Sequence, residues 1–262
     1  MTRFACLLLA LICSACTGPA APAPQRPMHL FLLAGQSNMA GRGTVTEADR
    51  TPHPRIWMLD AEMRWVPAVD PVHFDKPVAG VGPGLSFART LVERDPEIVV
   101  GLIPAAVGGS PILSWQPGAV HDQTGTPPYD DAMTRARAAA GAGELRAILW
   151  HQGESDANPR LSAGYEGRLR DLIGRFRQDL ARPDLPFLIG QLGQWPERPW
   201  NDAWEQVDEA HRRVADGVPH AAYVSSAGLP HRGDTLHFSS AAARELGRRY
   251  AEAYLRLQDL RR

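Results

Sequence analysis

Residues 31–43 read FLLAGQSNMAGRG, and this stretch decides the fold. Its first half is continuously apolar, the pattern of a strand buried on both faces of a sheet. Its second half turns polar at Gly35-Gln36-Ser37-Asn38, so Ser37 stands where a buried strand stops. The strand itself, HLFLLAG, starts at residue 29, and similar runs recur as RIWMLD (55–60), EIVVGLIP (97–104), LRAILWHQ (145–152), PFLIGQL (186–192) and AAYVSS (221–226). Amphipathic segments lie between them. In residues 162–182, Leu169, Leu172, Ile173, Phe176 and Leu180 share one helical face and arginines take the other. The last segment offers Ser239 and Ser240 as caps, spaces Leu246, Tyr250, Ala253 and Leu257 along a helix, and ends in Arg261 and Arg262, favourable at the negative end of the dipole. Strands alternating with helices predict an α/β fold whose central, mainly parallel sheet is covered on both sides.

Composition narrows the chemistry. A net charge of −1 leaves no basic excess to draw the chain onto nucleic acid. Lys76 is the one lysine, which removes Schiff-base and Walker-A chemistries. All three cysteines, Cys6, Cys13 and Cys16, fall in the N-terminal 16 residues, so the remaining chain has no thiol nucleophile and no internal disulfide. Those 16 residues read as a signal peptide: Arg3, then an apolar run from Phe4 to Ile12 that is too short to span a bilayer. The ending CSAC resembles a bacterial lipoprotein processing box with Cys16 as the lipidated residue, although Cys13 stands where leucine is usual. The expectation is therefore an exported protein, either an envelope lipoprotein touching the membrane only through its lipid or a periplasmic or secreted form. Residues 17–27, rich in Pro and Ala, read as an extended tether, and residues 28–262 as one domain.

In open α/β sheets, ligands and catalytic groups gather beyond the carboxyl ends of the strands. Three predicted strands end in polar, small-residue clusters: Ser37; Gly108, Gly109 and Ser110; Gln152 and Glu154. A fourth cluster, GDTLHF, places Asp234 three residues before His237, ahead of the last helix. A serine hydroxyl needs a base within about 2.6–3.2 Å, and the imidazole needs a partner that fixes its tautomer. Asp234 can serve His237 Nδ1 while Nε2 faces Ser37. The backbone N–H of Ser37, a glycine N–H from Gly108 or Gly109 and the Gln152 amide are candidate oxyanion donors, each worth about 2.7–4 kcal/mol in the transition state. Taken singly, Ser37 reads as a helix cap, His237 as a structural histidine, Asp234 as a cap for the final helix and the glycine pair as a permissive turn. Their concentration on one predicted edge favours the catalytic reading.

The blocks GQSNMAGRG, GPGLSFA, GGSPILSW, WHQGESDA and DTLHFS resemble, in order and over residues 30 to about 250, those of the SGNH-hydrolase superfamily. They are most similar to its sialate O-acetylesterase and carbohydrate esterase family six branch, which includes acetyl xylan esterases. The resemblance implies a flavodoxin-like three-layer α/β/α fold and metal-free, cofactor-free hydrolysis of acetyl esters on oligo- or polysaccharides. It carries over Ser37 as nucleophile, Asp234 and His237 as its triad partners, and Ser37, Gly108 or Gly109, and Gln152 as the oxyanion hole. The broader superfamily has Asn in a Gly-x-Asn-Asp setting where this chain has HQGE.

Around this core, Asn38, Arg42 and Glu154 are candidates for contacting substrate or for orienting a neighbour, Glu154 through Arg42 or His151. Trp115 and Trp195 are equally candidates for stacking on sugar and for packing loops, while Trp204 reads as packing. Two rivals use the same residues. A metal-dependent hydrolase would draw on His151, Glu154, Asp234 and His237, and a surface-tethered glycan-binding protein would use the pocket without chemistry.

Overall fold

The computed structural model describes residues 26–260. The expected leader with its three cysteines, residues 17–25 of the tether, and Arg261 and Arg262 lie outside the described residues. Seven strands form one sheet: β1 (Met28–Gly35), β2 (Ile56–Leu59), β3 (Trp65–Pro67), β4 (Val100–Pro104), β5 (Gly143–His151), β6 (Phe187–Gly190) and β7 (Ala221–Val224), in the order β3-β2-β4-β1-β5-β6-β7. The six strands read from apolar runs are all present and parallel. β3 escapes that reading because it is only three half-buried residues, pairing antiparallel with β2 at the sheet edge. The run β4-β1-β5-β6-β7 follows the flavodoxin order, and β2 and β3 extend it beyond β4.

Successive β1 side chains go to opposite faces, as the two-residue period of a strand requires. Leu30, Leu32 and Ala34 join a core with α3 (Pro128–Ala139), α4 (Tyr165–Asp179) and α5 (Asp202–Gly217). Phe31 and Leu33 join a second core with α2 (Pro83–Arg94) and α6 (Ser240–Asp259). The result is three layers, α/β/α. Pro83 opens α2 at a position that needs no amide donor. Ser239 caps α6 by accepting from the Ala242 amide. Among the described residues no helix is long and apolar enough to cross a membrane.

The chain passes from β1 outward to β2 and back to β4 on one side of β1, then to β5, β6 and β7 on the other. This reversal opens a crevice over the carboxyl ends of β4, β1 and β5, where the first three polar clusters sit. Phe31 anchors the central strand from below, with ring centroids 4.8 Å from Phe87 and 5.2 Å from Tyr254, both edge-on. Phe31→Ala is expected to destabilise the fold by about 3–5 kcal/mol, read as a lowered urea midpoint at unchanged m-value.

Candidate active site

The close of β1 is shaped by crowding against β5. Gly35 has φ of 124°, and a Cβ there would lie 2.2 Å from the His151 carbonyl oxygen, so only glycine lets the two strand ends meet. Gln36 then fastens the junction: its amide donates to His151 O at 2.8 Å, and its side-chain Oε1 faces the amides of Gly153 at 3.4 Å and Ser155 at 3.3 Å. Ser37 follows as the first residue of α1 (Ser37–Ala40), so its N–H has no acceptor one turn earlier within the helix. The cap position belongs to Gln36, so Ser37 is not a helix cap.

The fourth cluster folds over this point. His237 Nε2 lies 3.0 Å from Ser37 Oγ, and His237 Nδ1 lies 2.8 Å from Asp234 Oδ2. Asp234 Oδ1 also accepts from the amides of Leu236 at 3.0 Å and His237 at 2.8 Å, which bends the loop so that the carboxylate faces the ring. Burial would raise the Asp234 carboxyl, but the amide and ring of His237 and the Leu236 amide outweigh it and hold it at about 2. It is therefore a carboxylate throughout the neutral range, and its partner nitrogen carries the proton. Ser37 as a whole is 8% exposed.

The Gly108–Gly109 turn after β4 resolves differently from expectation. The Gly108 amide donates to Asp75 Oδ2 at 2.8 Å, and Arg42 Nη2 donates to the same oxygen at 2.8 Å. Gly108 is thus removed from the donor set, because its one hydrogen is committed. The Gly109 amide has no hydrogen-bond partner among the described residues, and its φ of 84° is a conformation glycine adopts without strain. Arg42 is likewise no partner of Glu154: it forms a buried ion pair with Asp75, a residue whose position in FDKP carried no motif signal.

Gln152 is also corrected. It is fully buried, and its Nε2 faces Gln36 Oε1 at 3.2 Å, Ser110 O at 3.1 Å and Asp156 Oδ2 at 2.5 Å. Its Oε1 accepts from the Tyr165 hydroxyl at 2.8 Å. An amide has two hydrogens, and both are engaged in this floor beneath the turn, leaving none for an oxyanion. Gln36 and Asp156, its partners here, lie beside Ser37 and Gln152 in the two motifs, but nothing in their residue type marks them in the sequence.

The two tryptophan candidates are struts. Trp115 is fully buried, donating from Nε1 to Ser110 Oγ at 2.9 Å and meeting Trp150 edge-on at 5.0 Å. Trp195 is 5% exposed, donates to Leu229 O at 2.8 Å and packs edge-on against His231 and Phe238, so it supports the His237 loop from below. Trp204 packs within α5, as read.

Glu154 meets Asn38 rather than Arg42: Asn38 Nδ2 donates to Glu154 Oε1 at 2.6 Å. His151 Nε2 stands 3.9 Å away, beyond hydrogen-bond range, and burial lowers that imidazole to about 3, so it is neutral. Among the described residues no group of three or more His, Cys, Asp or Glu is placed to hold a metal ion. Of the residues of the metallohydrolase alternative, Asp234 pairs with His237, Glu154 with Asn38, and His151 Nδ1 lies 3.3 Å from the Tyr250 hydroxyl.

These features agree with comparisons to known proteins. The family model described as carbohydrate esterase, sialic acid-specific acetylesterase matches residues 27–256, and the chain belongs to that family. It is accordingly an esterase, of a class that removes O-acetyl groups from carbohydrates. A protein of Arabidopsis thaliana named as a probable carbohydrate esterase is 33% identical over 90% of this chain and 94% of its own length. The crystal structure of that Arabidopsis protein aligns with a TM-score of 0.77 at 32% identity over 88% of this chain and 99% of the other. NanS shares the fold at a TM-score of 0.74 and 21% identity over 92% and 100% of the two chains, and a carbohydrate acetylesterase of Xanthomonas citri at 0.67 and 18% over 87% and 56%.

Burial is the largest influence on Glu154 and raises its carboxyl to about 6, against the lowering effect of the Asn38 hydrogen bond. A folded-state value above the unfolded one means the folded chain holds more protons between about pH 4.5 and 6, so stability falls as pH rises through that window. The shift is worth about 2 kcal/mol. Glu154→Gln should therefore gain stability over the wild type by up to about this amount at pH 8 and much less at pH 4, in paired urea titrations.

Proposed function

We propose that this protein is a serine esterase that removes O-acetyl groups from glycans through an acetyl-serine intermediate. The observation that carries the reading is the continuous chain from Asp234 Oδ2 through His237 to Ser37 Oγ, with contacts of 2.8 and 3.0 Å. His237 Nε2 takes the Ser37 proton as Oγ bonds to the acetyl carbon. The developing oxyanion is received by the Ser37 and Gly109 amides, backbone donors that have no internal acceptor among the described residues. Collapse breaks the bond to the sugar oxygen, which leaves with the proton from the imidazolium. Water then attacks the acetyl-serine, giving its proton to His237, and the second collapse releases acetic acid and returns the proton to Ser37.

The finer substrate assignment, acetylated xylan or another O-acetylated glycan including sialic acid, is supported by a cleft of about 600 Å³ beside Gly109. Leu113 and Val120 offer it apolar surface, while Gln123, Asn158 and Arg160 offer hydrogen-bonding groups, a mixture suited to the C–H and hydroxyl faces of a sugar. The leader sequence supports export, as a lipoprotein or a secreted form.

The test is acetate release from a panel of acetylated glycans and from 4-nitrophenyl acetate. Ser37→Ala, His237→Ala and the double variant should each lose roughly 10⁴–10⁶-fold in kcat, with the double no worse than the singles, because the groups act as a unit. Losses that multiply would count against the assignment. Chelator should leave the rate unchanged; loss of activity in chelator would favour the metal-dependent alternative. Glycan binding without acetate release would favour the non-catalytic one.

A further inference from the structure

Asn38 sits immediately after Ser37, and its side chain makes three hydrogen bonds. Nδ2 donates to Leu236 O at 3.1 Å and to Glu154 Oε1 at 2.6 Å, while Oδ1 accepts from the Phe238 amide at 3.2 Å. Leu236 and Phe238 flank His237, so one amide side chain grips the peptide groups on both sides of that histidine. The grip has a direction. A primary amide rotated by half a turn would aim its oxygen at Leu236 O and its NH₂ at the Phe238 N–H, losing both bonds. Glu154 reinforces this orientation and takes up the second amide hydrogen, because a carboxylate accepts and cannot donate.

Glu154 is otherwise an expensive residue in its place. Its side chain is 4% exposed, and its Oε2 has no hydrogen-bond partner among the described residues. A buried carboxylate with one oxygen unsatisfied is a liability for folding and calls for a functional reason. Asp156 raises its carboxyl further and Arg198 opposes this, both through the field and without a hydrogen bond to it. Among the described residues the only hydrogen-bonded side-chain partner of Glu154 is Asn38.

We propose that Glu154 and Asn38 form a positioning relay: the carboxylate orients the Asn38 amide, and the amide holds the His237 backbone at the distance that lets Nε2 take the Ser37 proton. Neither residue touches the reacting atoms. The inference rests on Ser37 as the nucleophile, and it goes beyond the esterase reading by giving HQGE and the residue after the serine a shared task. Sequence alone left Glu154 with Arg42 or His151 as its partner.

The experiment measures two rates on the full chain: turnover of 4-nitrophenyl acetate and the second-order rate of Ser37 labelling by a fluorophosphonate, in which Oγ bonds to phosphorus, fluoride leaves and His237 takes the proton. Labelling reports serine activation whatever the natural ester is, so the relay and the glycan reading fail separately. Glu154→Leu, which removes the buried charge, should fold with a thermal midpoint no lower than wild type, yet lose about 10- to 100-fold in both kcat and labelling rate with KM changed less than about twofold. Glu154→Gln still presents an acceptor to Asn38 and should stay within about threefold of wild type. Asn38→Ala should match Glu154→Leu, and the double variant should be no slower than the slower single. Glu154→Leu or Asn38→Ala at wild-type rates, losses that multiply, or a Glu154→Gln as slow as Glu154→Leu would overturn the relay. If Glu154→Leu does not fold, Asn38→Ala against Glu154→Gln decides the question by the same criteria.

Discussion

The contact on which the rest of this structure converges is 3.0 Å long and joins two side chains 200 residues apart, Ser37 Oγ and His237 Nε2. No local preference can make it. Ser37 is placed by the central strand and its meeting with β5, and His237 by a loop that leads into α6. The fold brings the two together because α6 packs in the same layer as α2 against the face of β1 that carries Phe31 and Leu33. Apolar burial therefore does the long-range work, and hydrogen bonds set the last ångström. The division suits their physics: hydrophobic association is strong and undirected, while hydrogen bonds are directional and modest in net strength.

Beneath the rim lies a polar floor within an otherwise apolar core. Gln36, Gln152, Asp156 and Tyr165 interlock, with the Ile112 amide closing on Asp156 Oδ2 at 2.8 Å. Beside it, Arg42 and Asp75 hold the Gly108 turn. Such groups are costly to bury unless they satisfy one another, and where they do, they permit few alternative arrangements. The loops after β1, β4 and β5 are thus tied to one another more firmly than their glycine content suggests. The proposed oxyanion donors, being backbone amides, depend on this, because peptide groups cannot be aimed by rotamer choice.

The strands were legible because burial on both faces writes an unbroken apolar run, and β3 was not because three edge residues carry too little of any pattern. The meeting of Ser37, Asp234 and His237 could be read because Ser37 ends a predicted strand and because a carboxylate three residues from a histidine on a tight loop has few other places to go. The oxyanion side was less legible. Residue type shows that Gln152 has an amide but not that Asp156 and Ser110 already hold its hydrogens. Likewise, glycine identity does not distinguish Gly108 from Gly109; the difference is made by Asp75, 33 residues upstream of Gly108. The aromatic candidates failed for a related reason. A tryptophan near a site in sequence can still point away from it, and Trp115 fills the space under the Ser110 turn.

Lys76, the one lysine in the chain, donates to Gln123 Oε1 at 3.0 Å, and Gln123 lies against Gly109. Amine-directed chemistry on this protein therefore has a single side-chain address, and it is at the margin of the cleft beside Gly109. Coupling the protein to a solid support through that amine would turn the Gly109 face toward the matrix and obstruct the approach of a bulky polysaccharide. A dye placed there would occupy the same approach.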